Sequence, residues 1–151
     1  AADASPFGKV VSQRAHDGGG LLTWVLSVSD IKTFENRLGR ESVDGHRRRP
    51  DGSDLNWKQI GVLGTLEDRQ LPFFIEWLTN DHPSKEAKAV AKIEKLEIAG
   101  DPERVREWIG EDFESAFAGI ALEWVDPAEN SGETGIFAVH FATPNGTFRL
   151  D

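Results

Sequence analysis

The stretch GHRRRPDGSDLNW, residues 45–57, holds three consecutive arginines, a turn and a tryptophan. In its RPDGS segment (49–53) Pro50 presets the first turn dihedral, and Gly52 supplies the positive φ of a type I turn with a bulge. A hairpin is therefore expected. If the turn pairs Arg49 with Ser53, then Arg48 opposes Asp54, Arg47 opposes Leu55, His46 opposes Asn56 and Gly45 opposes Trp57. Directly opposed residues share a face of a sheet. One face then carries Arg47, Arg49, Leu55 and Trp57, and the other carries His46, Arg48, Asp54, Asn56 and Lys58. The second set is expected to be solvated, with an Arg48–Asp54 cross-strand pair that contributes under about 1 kcal/mol when exposed. The first set combines two guanidiniums with an indole. Such a face can grip a planar carboxylate bidentately beside an aromatic wall, or stack a guanidinium on Trp57. It can equally pair its arginines with Glu76 or other acids and lay their stems on Trp57 to finish the hairpin. Both possibilities stay open at this point.

Working outward, SPFGKVVSQRAHDGGG (5–20) places Ser5 as a helix N-cap and Pro6 at the first helical position, with three glycines as the stop. LLTWVLSVSD (21–30) is a near-continuous apolar run of strand length. Ser29 or Asp30 then caps IKTFENRLG (31–39), whose Ile31, Phe34 and Leu38 share a face and whose Gly39 ends the helix. Further strands are expected at about 43–49, about 53–62, and LPFFIEWL (71–78). The second half repeats the order. After AKIEKLEIAG (91–100), Asp101 caps a helix started by Pro102, with Val105, Trp108 and Ile109 as its apolar stripe. GIALEWV (119–125), GIFAVHFAT (135–143) and GTFRL (146–150) follow as strands, the last two joined at PNG (144–146). Residues 84–96 favour a helix on propensity. We expect instead a loop or short helix to about Val90 and then a strand, which makes sense of the fresh helix start at Asp101-Pro102.

The 151 residues suit one compact domain or two small half-domains. Hydrophobic residues at 38% and charged ones at 28%, with five tryptophans and nine phenylalanines, place the chain among globular proteins. A net charge of −9 opposes a nucleic-acid partner, which draws its affinity from clustered Lys and Arg. The absence of cysteine excludes a disulfide framework, a thiolate metal site and a cysteine nucleophile. No apolar run reaches the roughly 18 residues of a spanning helix, and no signal-peptide pattern is present, so a soluble cytoplasmic chain with no membrane partner is expected. The sequence also lacks methionine, which points to an excerpt or a processed product.

The duplicated βαβββ order resembles the vicinal oxygen chelate superfamily, the group of glyoxalase I, extradiol dioxygenases and bleomycin-resistance proteins. GHRRRPDGSDLNW followed by LPFFIEW and HPS (82–84) resembles, more specifically, the glyoxalase-like domain family of bacterial proteins. The likeness is closest over about residues 20–84 and rests mainly on pattern over 92–151. It implies an α+β fold of two βαβββ modules forming an open sheet or cup. Residues 1–19 would be a helix and linker following an absent N-terminal module, 20–84 the first module and 85–151 the second. It also implies that paired modules can assemble across subunits, so a homodimer is an expectation.

The superfamily holds a divalent metal with a His at the start of each module's first strand and a Glu on each fourth strand, a set of N and O donors. The resemblance places Thr23 at the first His position and Glu76 at the first Glu position. Glu94 or Ile93 falls at the second His position, and Leu150 or Asp151 at the last Glu position. That set has no histidine, so a metal cofactor is not supported by complete ligands, and Glu76 is the best single candidate. Glu76 reads equally well as a strand carboxylate paired to an arginine or facing water. His16, His46, His82 and His140 form no H-x-x-x-H or H-x-H spacing, and His140, between Val139 and Phe141, reads as a satisfied sheet residue. No nucleophile elbow or phosphate loop is present.

Two functions follow. One is an enzyme on a small anionic or oxygen-rich molecule, of the lyase, isomerase or dioxygenase type. In it Arg47 and Arg49 hold the anion, Trp57 and Thr23 line the site, and Glu76 is metal ligand or general base. The other is a metal-free module that sequesters a small molecule or mediates subunit contacts.

Overall fold

The computed structural model describes residues 5–79 and 90–151. His82 and the expected loop or short helix before Val90 lie outside the described residues. The elements are α1 (Pro6–His16), β1 (Val25–Ser27), α2 (Ile31–Leu38), β2 (Val43–Arg48), β3 (Asp54–Ile60), α3 (Val62–Glu67) and β4 (Phe73–Trp77). They continue as β5 (Lys92–Ala99), α4 (Pro102–Ile109), α5 (Phe113–Ala116), β6 (Ala121–Val125), β7 (Gly135–Thr143) and β8 (Gly146–Leu150). The fold is α+β, with two mixed four-stranded sheets. No described helix is long and apolar enough to cross a membrane.

The helices start where side-chain oxygens can satisfy their first free amides. Ser5 Oγ accepts from Gly8 N at 2.9 Å, Asp30 Oδ1 from Lys32 N at 2.9 Å, and Asp101 Oδ1 from Glu103 N at 2.9 Å. Pro6 and Pro102 sit at the first helical positions, where a missing N–H costs nothing. Gly39 ends α2 in the left-handed region.

The first sheet has the order β1-β4-β3-β2, with β1 parallel to β4 and the other pairs antiparallel. Its hairpin pairs Gly45 with Trp57, His46 with Asn56, Arg47 with Leu55 and Arg48 with Asp54, the expected register. The turn closes through Arg49 N to Ser53 O at 2.8 Å and Gly52 N to Arg49 O at 3.0 Å. Two elements differ from expectation. β1 covers only three residues of the apolar run, and β3 ends at Ile60, after which Gly61 turns at φ 92° into α3. α3 follows Gly61, which has no side chain to cap it, and carries Gly64 and Thr65, both weak helix formers, so nothing local announces it.

The second half keeps the βαβββ order but pairs its strands differently, as β6-β5-β7-β8. Here β5 runs parallel to β6 across the α4–α5 connection and antiparallel to β7, which makes it central. Leu96, Glu97, Ile98 and Ala99 are all buried, as befits a strand covered on both faces. Two bulges shift the β5–β7 register, between Ile93 and Lys95 and between Glu97 and Ile98.

The chain divides into two compact units. One holds the described residues of 25–62 and 72–79 and is built on the first sheet, with Ile31, Phe34, Leu55, Ile60, Phe74 and Ile75 as its core. The other holds residues 5–24, 63–71 and 90–151, so α1 and most of α3 belong with the second sheet. Its core includes Leu96, Ile98, Val105, Ile109, Phe113, Phe117 and Val139.

Candidate ligand-binding surfaces

Strand pairing sorts the side chains of the first sheet into two faces. Trp57 opposes both Gly45 and Trp77, and Gln59 opposes Ile75, so Arg47, Leu55, Trp57, Gln59, Ile75 and Trp77 share one face. The Trp57 indole lies over Gly45, where an added Cβ would sit 2.1 Å from Cε2 and 2.2 Å from Nε1. That close approach explains the glycine in mid-strand. Trp57 Nε1 donates to Gln59 Oε1 at 2.9 Å, and the Trp57 and Trp77 rings are 5.6 Å apart and tilted by 52°. The indole is thereby held in place on both sides. Arg47 is exposed beside this pair and makes no ion pair among the described residues. Arg49 is half-buried at the start of the turn.

The other face packs under α2. Phe34 stacks on Phe74 with ring centroids 4.0 Å apart, and Lys58 Nζ reaches Asp44 Oδ1 at 2.9 Å. The expected Arg48–Asp54 pair does not form. His46 Nε2 takes Asp54 Oδ1 at 3.0 Å instead, because sheet twist brings this diagonal neighbour within reach of a short, stiff ring. Glu76 is also on this face, opposite Lys58. Its Oε2 accepts from the Ile31 amide at 3.0 Å, placing a carboxylate at the N-terminus of α2, where the helix dipole favours negative charge. Arg47 and Trp57 thus share one face and Glu76 lies on the other, while Arg49 stands at the turn beyond the paired residues. Thr23 lies in the other unit, with its Oγ1 2.5 Å from Thr65 Oγ1.

The second sheet holds a charged cluster that no local motif marks. Glu97 is 8% exposed. His140 Nε2 lies 2.5 Å from its Oε1, Arg149 Nη2 3.0 Å from its Oε2, and Lys95 Nζ 3.4 Å from its Oε1. Arg149 also contacts Asp151 and lies 5.5 Å from the Phe137 ring centroid. The register supplies the logic: Lys95 opposes His140 and His140 opposes Arg149, so all three point to one face with Glu97. His140 is a satisfied sheet residue, and Glu97 is what satisfies it.

Hydrogen bonds from Arg149 first, then from His140, hold the Glu97 carboxyl at about 2, well below its ordinary 4.5. A carboxylate depressed in the folded state contributes stability above its unfolded pKa, and that stability is lost as pH falls through the window from 4.5 to about 2. The stability advantage of the parent over Glu97→Gln is therefore expected to shrink across that window. Chemical denaturation of both chains between pH 6 and 2 checks it, and a constant gap would refute the assignment.

Among the described residues, no three His, Asp or Glu side chains gather as metal ligands. Glu97 is occupied by three cationic or imidazole partners and Glu76 by a backbone amide. Among the described residues, these carboxylates with their present partners do not complete the divalent-metal set that the superfamily resemblance implies.

A family model described as a glyoxalase-like domain matches residues 1–113. The crystal structure of a hypothetical protein from Staphylococcus aureus aligns with 98% of this chain and 61% of its own, at 16% identity and a TM-score of 0.45. The chain therefore spans about three-fifths of that neighbour's length. No curated protein matches the chain.

Proposed function

Since the chain belongs to the glyoxalase-like domain family, we propose that it is a binding module for a small, planar, anionic or oxygen-rich molecule. The ligand lies against the Trp57 face of the first sheet. Trp57 and Trp77 form the wall, Arg47 supplies the charge, and Arg49 stands at the rim. The observation that carries this proposal is the Trp57 indole fixed over Gly45 beside an exposed Arg47 that has no ion pair among the described residues. A guanidinium next to a preset aromatic surface can hold a carboxylate bidentately with little ordering cost.

Binding is favoured over catalysis by what shares that face. Along the paired strands it carries Val25, Ser27, Val43, Gly45, Arg47, Leu55, Trp57, Gln59, Phe73, Ile75 and Trp77. None of these is a carboxylate or imidazole able to move a proton. Glu76, on the opposite face, orders the start of α2 and takes no part. The proposal extends to a bacterial cytoplasmic protein that pairs with a second copy of itself.

Arg47→Ala tests it. Titration of an aromatic carboxylate such as benzoate, followed by tryptophan fluorescence, is expected to show about a 10- to 100-fold loss of affinity, the scale of a charge-assisted hydrogen bond. Unchanged affinity would remove the arginine from the site.

A further inference from the structure

The second unit carries a cleft that the sequence does not announce. Arg14, Leu22, Arg69, Asn130, Glu133 and Thr134 contribute to a cavity of about 350 Å³. An adjoining space of about 480 Å³ shares Arg14, Leu22, Arg69 and Glu133 and adds Lys9, Gln13 and Asp17. Its charged groups are thus Lys9, Arg14 and Arg69 against Asp17 and Glu133.

The carboxylates are already engaged. Gln13 Nε2 donates to both Asp17 oxygens, at 2.9 and 3.0 Å, and Arg69 Nη1 pairs with Glu133 Oε2 at 2.8 Å. Arg14 is different. Its Nε is shut off from solvent and has no hydrogen-bond partner among the described residues, and it makes no ion pair among them. A buried, unsatisfied donor on a charged group is costly and rare. The position of Arg14 in the last turn of α1 offsets part of that cost through the helix dipole but supplies no acceptor.

The guanidinium is also oriented. The backbone of Gly20 passes so close that an added Cβ would lie 3.1 Å from Nη2 and 3.7 Å from Nε, and Gly20 has a φ of 95° that disfavours any side chain. The last of the three glycines after α1 therefore shapes this wall as well as ending the helix.

From these observations we infer that the cleft is a second oxyanion site, taking the carboxylate or phosphate group of a small molecule on Arg14, with Arg69 flanking it. The volume suits a small ligand. Glu133 both neutralises Arg69 and repels an incoming anion, so it limits affinity.

Inorganic phosphate and malonate are the probes, each measured by calorimetry on the whole chain, with Arg48→Ala as a control for loss of an exposed cation elsewhere. Arg14→Gln is expected to weaken binding at least tenfold, and Glu133→Gln to strengthen it several-fold. Preference between the two probes tells which oxyanion the cleft takes. Absence of binding by both, equal binding by parent and Arg14→Gln, or weaker binding by Glu133→Gln would each overturn the inference. A merely structural Arg14 would change thermal stability and leave the titrations alone.

Discussion

Phe74→Ala is expected to destabilise the first-sheet unit by about 3–5 kcal/mol, the range for emptying a packed aromatic site. Phe74 is fully buried, opposes Ile60 across β3–β4 and Leu26 across β1–β4, and stacks on Phe34 at 4.0 Å. Truncation removes the ring contact and leaves a void between α2 and the middle of the sheet. That helix fills the void poorly, because its N-terminus is tied to the sheet through the Ile31 amide on Glu76. In urea the unfolding midpoint followed by tryptophan fluorescence should fall while the slope is retained. A loss below about 1 kcal/mol would mean that the Phe34–Phe74 pair is not the core contact described.

Gly45→Val sets two effects of opposite sign against each other. Strand propensity favours valine by up to about 1 kcal/mol. The new side chain, however, would start 2.1 Å from Trp57 Cε2, so the indole must leave its place, giving up the bond to Gln59 and its packing on Trp77. Overpacking of this kind costs about 1–3 kcal/mol, and the clash wins. The variant should be less stable than the parent, show an altered near-ultraviolet tryptophan signal and lose the carboxylate binding assigned to the Trp57 face. Greater stability with an unchanged signal would show that the indole does not depend on the glycine.

The local chemistry of the chain was legible. The Pro50-Asp51-Gly52 turn settles which residues oppose one another in β2 and β3, because a short turn leaves no other register. The caps at Ser5 and Asp101 and the prolines after them could be read because they act within one helical turn, while for α2 the sequence offered Ser29 or Asp30 and the structure uses Asp30. What escaped lacks such a signal. α3 begins after a glycine, which has no side chain to cap it, and the second sheet repeats the order of the first while pairing β5 with β6 and β7. Element order constrains pairing only weakly, since a connection as long as that between β5 and β6 can return a strand to either side of its predecessor.

By itself, then, the sequence determined the hairpin, its division of three arginines between two faces, the helix starts and the overall α+β order, all of them consequences of contacts between near neighbours. Only the tertiary structure decided what those faces do. It set Glu76 on the Ile31 amide 45 residues away, and Glu97 against His140 and Arg149, 43 and 52 residues distant. It also closed a cleft between Arg14 and Arg69. The physical reason is parity: a single bulge or a change of strand order moves a side chain to the other face, and nothing local records that choice.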